Sequence, residues 1–322
     1  LSVPLLGVVP HLPGREGFTI TQSLAALEGG ERFAIKESLR NLFANFRLLR
    51  ADKPVRLVAV TSSTQGEGKS TTTSLFAQTL AQMGQRVLLV DADMRRPRLH
   101  RYLGADNTEG LSSLLTDPQL AVDNLVRELP SGLDLLTAGP VPPDPTQLLS
   151  SERCGVVVEM IRQLPGYDLV IFDTPPAFIL SDPVLLAEHL DGLIFLVGLS
   201  QVNRDLPAQA LQRVRDTGVD VLGVLANQPV RRGSGRNGYG GYGYGYGYGY
   251  GYGYGYGYGE KAGYGAYAEA AERREAADQA TQQGADQAEK LVRSRNGKGP
   301  KKRFATLKAS SQRLMHWLDE RE

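Results

Sequence analysis

The sequence predicts an α/β domain over residues 31–230, a mostly parallel sheet flanked by helices. Three observations predict it. Short β-branched or aliphatic runs recur along the chain, and stretches of helical spacing lie between them, the pattern of parallel strands joined by crossover helices. The first run passes through a glycine turn straight into a helix. Two of the runs end in aspartate, at the edge where parallel sheets present side chains to ligands.

The elements follow in order. Residues 1–30 are a Pro/Gly-punctuated lead-in. "ERFAIKESLRNLFANFRLL" (31–49) has Leu39, Leu42, Phe43 and Phe46 at helical spacing and predicts an amphipathic helix. "VRLVAVTS" (55–62) is the first buried strand, and a helix is expected from Lys69 to about Met83. "RVLLVDAD" (86–93), "LDLLTAG" (133–139), "YDLVIFDTPP" (167–176), "GLIFLVGL" (192–199) and "VDVLGVLAN" (219–227) supply further strands. Stretches 151–164, 182–190 and 204–217 have helical spacing.

After the domain the composition changes. Residues 231–268 are Gly/Tyr-rich, with ten tyrosines and twelve glycines between Gly238 and Gly259 alone. No packed core can be built from such a strip. Residues 269–322 form a charged extension, expected as solvated helix or disorder, whose basic end suits an anionic lipid or polysaccharide surface as well as simple solvation. With 36 Lys+Arg against 35 Asp+Glu the net charge is +1, which gives no argument for a nucleic-acid partner. Cys154 is the only cysteine, so a disulfide framework is excluded and a reducing compartment expected. No apolar run approaches the roughly 18 residues of a membrane span. The chain begins at Leu1 rather than Met, and is read as a piece of a longer protein whose missing part could hold such spans.

The chemistry lies in three motifs. Counted from Ser63, "STQGEGKS" fits G-x-x-x-x-G-K-[ST] with serine at the first glycine. Gly66 and Gly68 would let the backbone wrap phosphate oxygens. Glu67, Lys69, Ser70 and Thr71 complete the cradle at a helix N-terminus. Lys69 would neutralise β/γ-phosphates and the Ser70 hydroxyl would bind Mg²⁺. An ordinary βα turn is the alternative, and the strand–loop–helix context disfavours it. "VLLVDADMRRP" places Asp91 and Asp93 at a strand end, and "LVIFDTPP" places Asp173 at another, as a Walker B acid. One strand-end Asp is often only a helix cap. A lysine and three carboxylates around one nucleotide are harder to read as packing.

In this order and spacing, "TSSTQGEGKST", "LLVDADMRRP" and "VIFDTPP" resemble the bacterial tyrosine kinases of exopolysaccharide synthesis, P-loop proteins of the MinD/ParA superfamily. The likeness covers roughly residues 1–230, and the lead-in "VPLLGVVPHLP" looks like the family's segment after its second membrane span. The resemblance implies ATP and Mg²⁺ as cofactors, with Lys69, Asp91, Asp93 and Asp173 catalytic and Ser70, Asp93 and Asp173 around the metal. Asp91 is the first choice for accepting the phenol proton and Asp93 the alternative. Arg95, Arg96 and Arg98 would lie near the site, Asp182 resembles a recurrent acid after the Walker B strand, and Asn227 stands where the last strand often reaches the base.

The helix of residues 37–45 resembles the family's oligomerisation motif E-x-x-R-x-x-R-T-N. Glu37, Arg40 and Asn45 match; Phe43 and Ala44 depart from it. A tyrosine cluster at the C-terminus, phosphorylated by a neighbouring copy in a ring-like homo-oligomer, is the last family feature. Tyr239, Tyr242, Tyr244, Tyr246, Tyr248, Tyr250, Tyr252, Tyr254, Tyr256, Tyr258, Tyr264 and Tyr267 would be the acceptors here. Further implied partners are a membrane polysaccharide co-polymerase domain, fused or separate, and a tyrosine phosphatase. No nucleic acid is implied, and the implied location is the cytoplasmic face of the bacterial inner membrane. Three other readings compete. A MinD/ParA-type ATPase would carry a second lysine early in the P-loop, where this chain has Thr64. A nucleotide-binding scaffold of the export machinery would bind ATP without making phosphotyrosine. The Gly-Tyr strip could also serve as an adhesive, self-associating segment.

Overall fold

The computed structural model describes residues 3–10, 12, 19–27, 29–48, 55–199 and 205–228. Eight strands form one sheet in the order β1-β8-β7-β2-β6-β3-β5-β4. They are β1 (Leu5–Pro10), β2 (Leu57–Ser62), β3 (Val87–Asp91), β4 (Arg127–Glu128), β5 (Asp134–Leu136), β6 (Leu169–Asp173), β7 (Gly192–Gly198) and β8 (Val221–Gln228). Every pairing is parallel except β4 with β5. The helices are α1 (Ile20–Ala25), α2 (Gly29–Leu48), α3 (Lys69–Gln82), α4 (Leu99–Leu103), α5 (Leu111–Thr116), α6 (Pro145–Leu149), α7 (Glu152–Gln163), α8 (Asp182–Ala187) and α9 (Asp205–Asp216).

The central strands are apolar at nearly every position because both faces are covered. Alternate residues serve the two sides. Val58, Val60, Val87, Leu89 and Ile171 pack with Leu39, Phe46, Leu75 and Leu80 of α2 and α3. Leu57, Leu88, Val90, Val170 and Phe172 turn the other way onto Val157, Val158 and Ile161 of α7. Further along the same face, Ala59, Leu193 and Phe195 meet Ala210, Leu211 and Val214 of α9.

The lead-in differs from the sequence reading. Its LLGVVP run enters the sheet as β1, pairing parallel with β8. Leu6 and Val9 are buried beneath α2, and the Asn45 side-chain amide donates to the Leu6 carbonyl across 2.8 Å. That bond ties strand to helix within one chain. It gives Asn45 an internal partner, although the motif had suggested a contact between copies. Glu37 and Arg40 instead pair with each other on the exposed face of α2, with side chains 37% and 45% accessible.

Among the described residues no helix is long and apolar enough to cross a membrane. Residues 229–322, with all twelve tail tyrosines of the expected acceptor segment and the charged extension, lie outside the described residues.

Candidate active site

The loop between β2 and α3 is built by two glycines. Gly66 and Gly68 have φ of +88° and +85°, the left-handed region in which a Cβ is penalised. The first bond internal to α3 runs from Thr72 N–H to the Gly68 carbonyl at 2.9 Å. Gly68, which precedes the helix, has no side chain to cap the amides of the first turn. Those amides, with the positive end of a 14-residue helix behind them, suit an anion. They open on a cavity of about 280 Å³ lined by Thr64 to Thr71, Asp93, Arg96, Arg98, Tyr102 and Pro176. Its donors, its basic side chains and its size fit the phosphate end of a nucleotide.

Strand register delivers the acids. In the parallel β3–β6 ladder Asp91 stands directly opposite Asp173, at the strand ends beside the P-loop. Lys69 Nζ donates to Asp173 Oδ1 at 2.6 Å and to Ser70 Oγ at 3.1 Å. Lys69 and Asp173 are only 7% and 1% accessible, so the ion pair is shielded from water. Asp91 is fully buried, and its carboxylate accepts from the N–H groups of Arg98, Leu99 and Asp93 at 3.1, 3.0 and 3.3 Å. Burial, reinforced by the Asp173 charge, pushes the Asp91 carboxyl up to about 8. Asp93 lies on the cavity wall, and burial raises its pKa too, opposed chiefly by Lys69. Of the two candidate bases, only Asp93 faces the cavity.

The other expected site residues divide. Arg96 and Arg98 line the cavity, with Arg96 Nη1 donating to Gln65 Oε1 at 2.7 Å. Arg95 does not line it; it forms a bidentate pair with the buried Asp182, at 2.6 and 3.1 Å. Ser70 and Thr71 are on the wall. Glu67 contributes backbone there, but its side chain is buried and turned into the protein. Its carboxylate accepts from Ser63 Oγ at 2.6 Å, from the Thr64 N–H, and from the Gly198 N–H of β7 at 2.7 Å. The Asn227 amide donates to the Glu67 carbonyl at 2.7 Å, so this side chain braces the loop and does not line the cavity. These two braces were not legible as such, since spacing marks the loop and cannot show which side chains face away from it.

For Mg²⁺ the candidates are the Ser70 hydroxyl and the carboxylates of Asp93 and Asp173. The described residues include no group of three or more His, Cys, Asp or Glu placed to hold a metal ion by themselves.

Fold and loop together define a P-loop nucleotide-binding protein with a MinD/ParA-like sheet. The family model described as the CobQ/CobB/MinD/ParA nucleotide binding domain matches residues 58–242, and the chain belongs to that family. Within it the chain belongs to the bacterial tyrosine-protein kinases. It is 34% identical over 191 residues to "Tyrosine-protein kinase YwqD" of Bacillus subtilis, covering 59% of this chain and 80% of that protein. It is also 34% identical over 191 residues to "Putative tyrosine-protein kinase EpsB" of Ralstonia nicotianae, where the match spans 25% of the relative's length. The solved "BceF Tyrosine Kinase Domain" superposes with a TM-score of 0.58 at 34% identity, covering 70% of this chain and 93% of that one.

Proposed function

We propose that this chain transfers the γ-phosphoryl group of ATP to tyrosine hydroxyls in its own Gly-Tyr segment, from one copy to another, within an exopolysaccharide synthesis and export system. The observation that carries this reading is the meeting of Lys69, Ser70, Asp93 and Asp173 beneath a P-loop that opens on a polar cavity.

Each residue has a role that follows from its place. The first-turn amides of α3 and the Lys69 ammonium would hold the phosphates in line, which is most of what catalysis of phosphoryl transfer requires. Lys69 is tied to Asp173, so a phosphate that engages Nζ exchanges one anionic partner for another and keeps the charge compensated. Bound Mg²⁺ would supply further neutralisation of phosphate charge, next to Ser70, Asp93 and Asp173. Asp93, on the cavity wall, would accept the phenol proton. Asp91, buried under three backbone amides, would keep the 93–98 loop in shape. Arg96 and Arg98 would draw an anionic nucleotide to the site.

The acceptors of this reading are Tyr239 to Tyr267, twelve phenols on a glycine-rich chain that can thread into a site without fixed register. Glu37 and Arg40, exposed on α2, would take part in the contact between copies. The resemblance noted in the sequence supports a place with a membrane-bound polysaccharide co-polymerase on the cytoplasmic side of the inner membrane. A tyrosine phosphatase would reset the tail.

The test is direct. Purified protein incubated with ATP and Mg²⁺ gains phosphotyrosine, read by antibody and mass spectrometry. Withholding Mg²⁺, or replacing Lys69 by Met, abolishes it. ATP binding with no phosphotyrosine in any copy would favour the scaffold reading.

A further inference from the structure

Arg95 is the one arginine of its cluster that turns from the cavity, and the reason is on its other side. Its Nε donates to Asp182 Oδ2 at 2.6 Å, and its Nη2 donates to Asp182 Oδ1 at 3.1 Å and to Thr146 Oγ1 at 2.6 Å. The Thr146 hydroxyl closes the triangle by donating to Asp182 Oδ1 at 2.9 Å. The acid is 2% accessible and the arginine 33%. A planar guanidinium held at three points has no rotational freedom left, which a lysine could not reproduce.

The three residues belong to three different connections at the carboxyl edge of the sheet. Arg95 lies between β3 and α4, in the loop that carries Asp93, Arg96 and Arg98 to the cavity wall. Asp182 opens α8, at the end of the connection that leaves β6 at Asp173 and passes Pro176 on that wall. Thr146 lies in the first turn of α6, after β5. Asp93 is two residues from Arg95, and the Asp91 carboxylate grips the same loop from inside through the N–H groups of Asp93, Arg98 and Leu99. The loop is thus fixed from two sides, by a buried carboxylate beneath and by the arginine triangle above.

We propose that Arg95, Asp182 and Thr146 form a positioning clamp that sets the Asp93 carboxylate at its distance from Ser70 and Asp173, and thereby governs how strongly Mg²⁺ enhances nucleotide binding at the site. The clamp touches neither nucleotide nor acceptor; it acts through the loop. The proposal rests on the kinase reading for its consequence in catalysis, but its binding consequence stands apart from phosphoryl transfer.

The test compares wild type with Asp182→Asn, Arg95→Lys and Thr146→Val, the last two keeping the buried acid in case Asp182→Asn folds poorly. A fluorescent, non-hydrolysable ATP analogue is titrated with and without Mg²⁺, beside thermal melting and transfer to the tail. The clamp requires each folded variant to bind the metal-free analogue like wild type and to lose about 10- to 100-fold of the Mg²⁺ enhancement, as outer-sphere changes do at metal sites. In the transfer assay, which contains Mg²⁺, KM for ATP rises in step with that loss. Arg95→Lys combined with Asp182→Asn costs no more than the larger single change, since both break one unit. An unaltered Mg²⁺ enhancement in folded variants, or none in wild type, overturns the proposal: the triangle then serves only stability, and melting alone responds. Wild type that shows the Mg²⁺-linked binding but transfers nothing to tyrosine removes the kinase reading and leaves the clamp standing.

Discussion

Lys69 Nζ and Asp173 Oδ1 are 2.6 Å apart, with the lysine 7% and the acid 1% accessible. The P-loop lysine, at the edge of the cavity, is therefore also part of the buried charge balance. Asp91 stands in register with Asp173, so the lysine faces two acids. Removing it leaves them without a cation.

Lys69→Met should for that reason do more than abolish transfer. Taking one partner from a buried ion pair costs about 3 kcal/mol, so thermal melting should fall markedly, more steeply at high pH where the orphaned acids must ionise. Adding Asp173→Asn should restore much of the stability and none of the activity. Wild-type melting in the single variant would show that the pair is not formed in solution.

Asp91 gives a pH prediction. Its pKa is raised from 3.8 to about 8 by burial first and by Asp173 second, so the folded chain holds a proton that the unfolded chain releases. The sign follows from linkage: this contribution to stability is present below the unfolded value and is lost as pH rises through the folded one. Asp91→Asn cannot ionise. Its melting temperature relative to wild type should rise between about pH 4 and pH 8 and then level off. A difference constant across that range would place the carboxylate in a more polar setting.

Much of this was legible in the sequence. Continuous apolar runs such as VRLVAVTS and LVIFD announce buried parallel strands, and a glycine-rich turn opening a helix announces the phosphate loop. What escaped shares one physical cause, partners distant in sequence. The run LLGVVP pairs with β8 near the other end of the domain, and no local signal tells a strand from a lead-in when its partner is absent. Glu67 reads as one more loop residue until Gly198 and Asn227 are brought beside it. Arg95 reads with Arg96 and Arg98 as one basic cluster until Asp182 claims it.

Glu67→Gln tests the brace. An amide can accept at one atom only and would turn donor groups toward the N–H of Thr64 or of Gly198. Leaving such buried donors unmet costs about 1–3 kcal/mol, and the loop should lose its preset form. ATP affinity should fall although the side chain faces away from the cavity. A titration matching wild type would mean that the glycines alone set the loop.

On α2 the motif residues should separate into two classes. Asn45→Ala removes the bond to Leu6 and should lower stability by about 1 kcal/mol. Arg40→Ala, on the exposed face, should leave melting unchanged and weaken association between copies, read by sedimentation. Equal oligomer sizes for Arg40→Ala and wild type would remove α2 from the contact.

The central claim is that the site on one copy phosphorylates the Gly-Tyr segment of another. The most direct measurement mixes two proteins: a Lys69→Met/Asp173→Asn chain that keeps its tail, and an active chain truncated at Arg236. With ATP and Mg²⁺ the inactive, tailed chain should acquire phosphotyrosine between Tyr239 and Tyr267, mapped by mass spectrometry. A tailed chain that stays unlabelled, under conditions where full-length protein labels itself, would contradict transfer between copies.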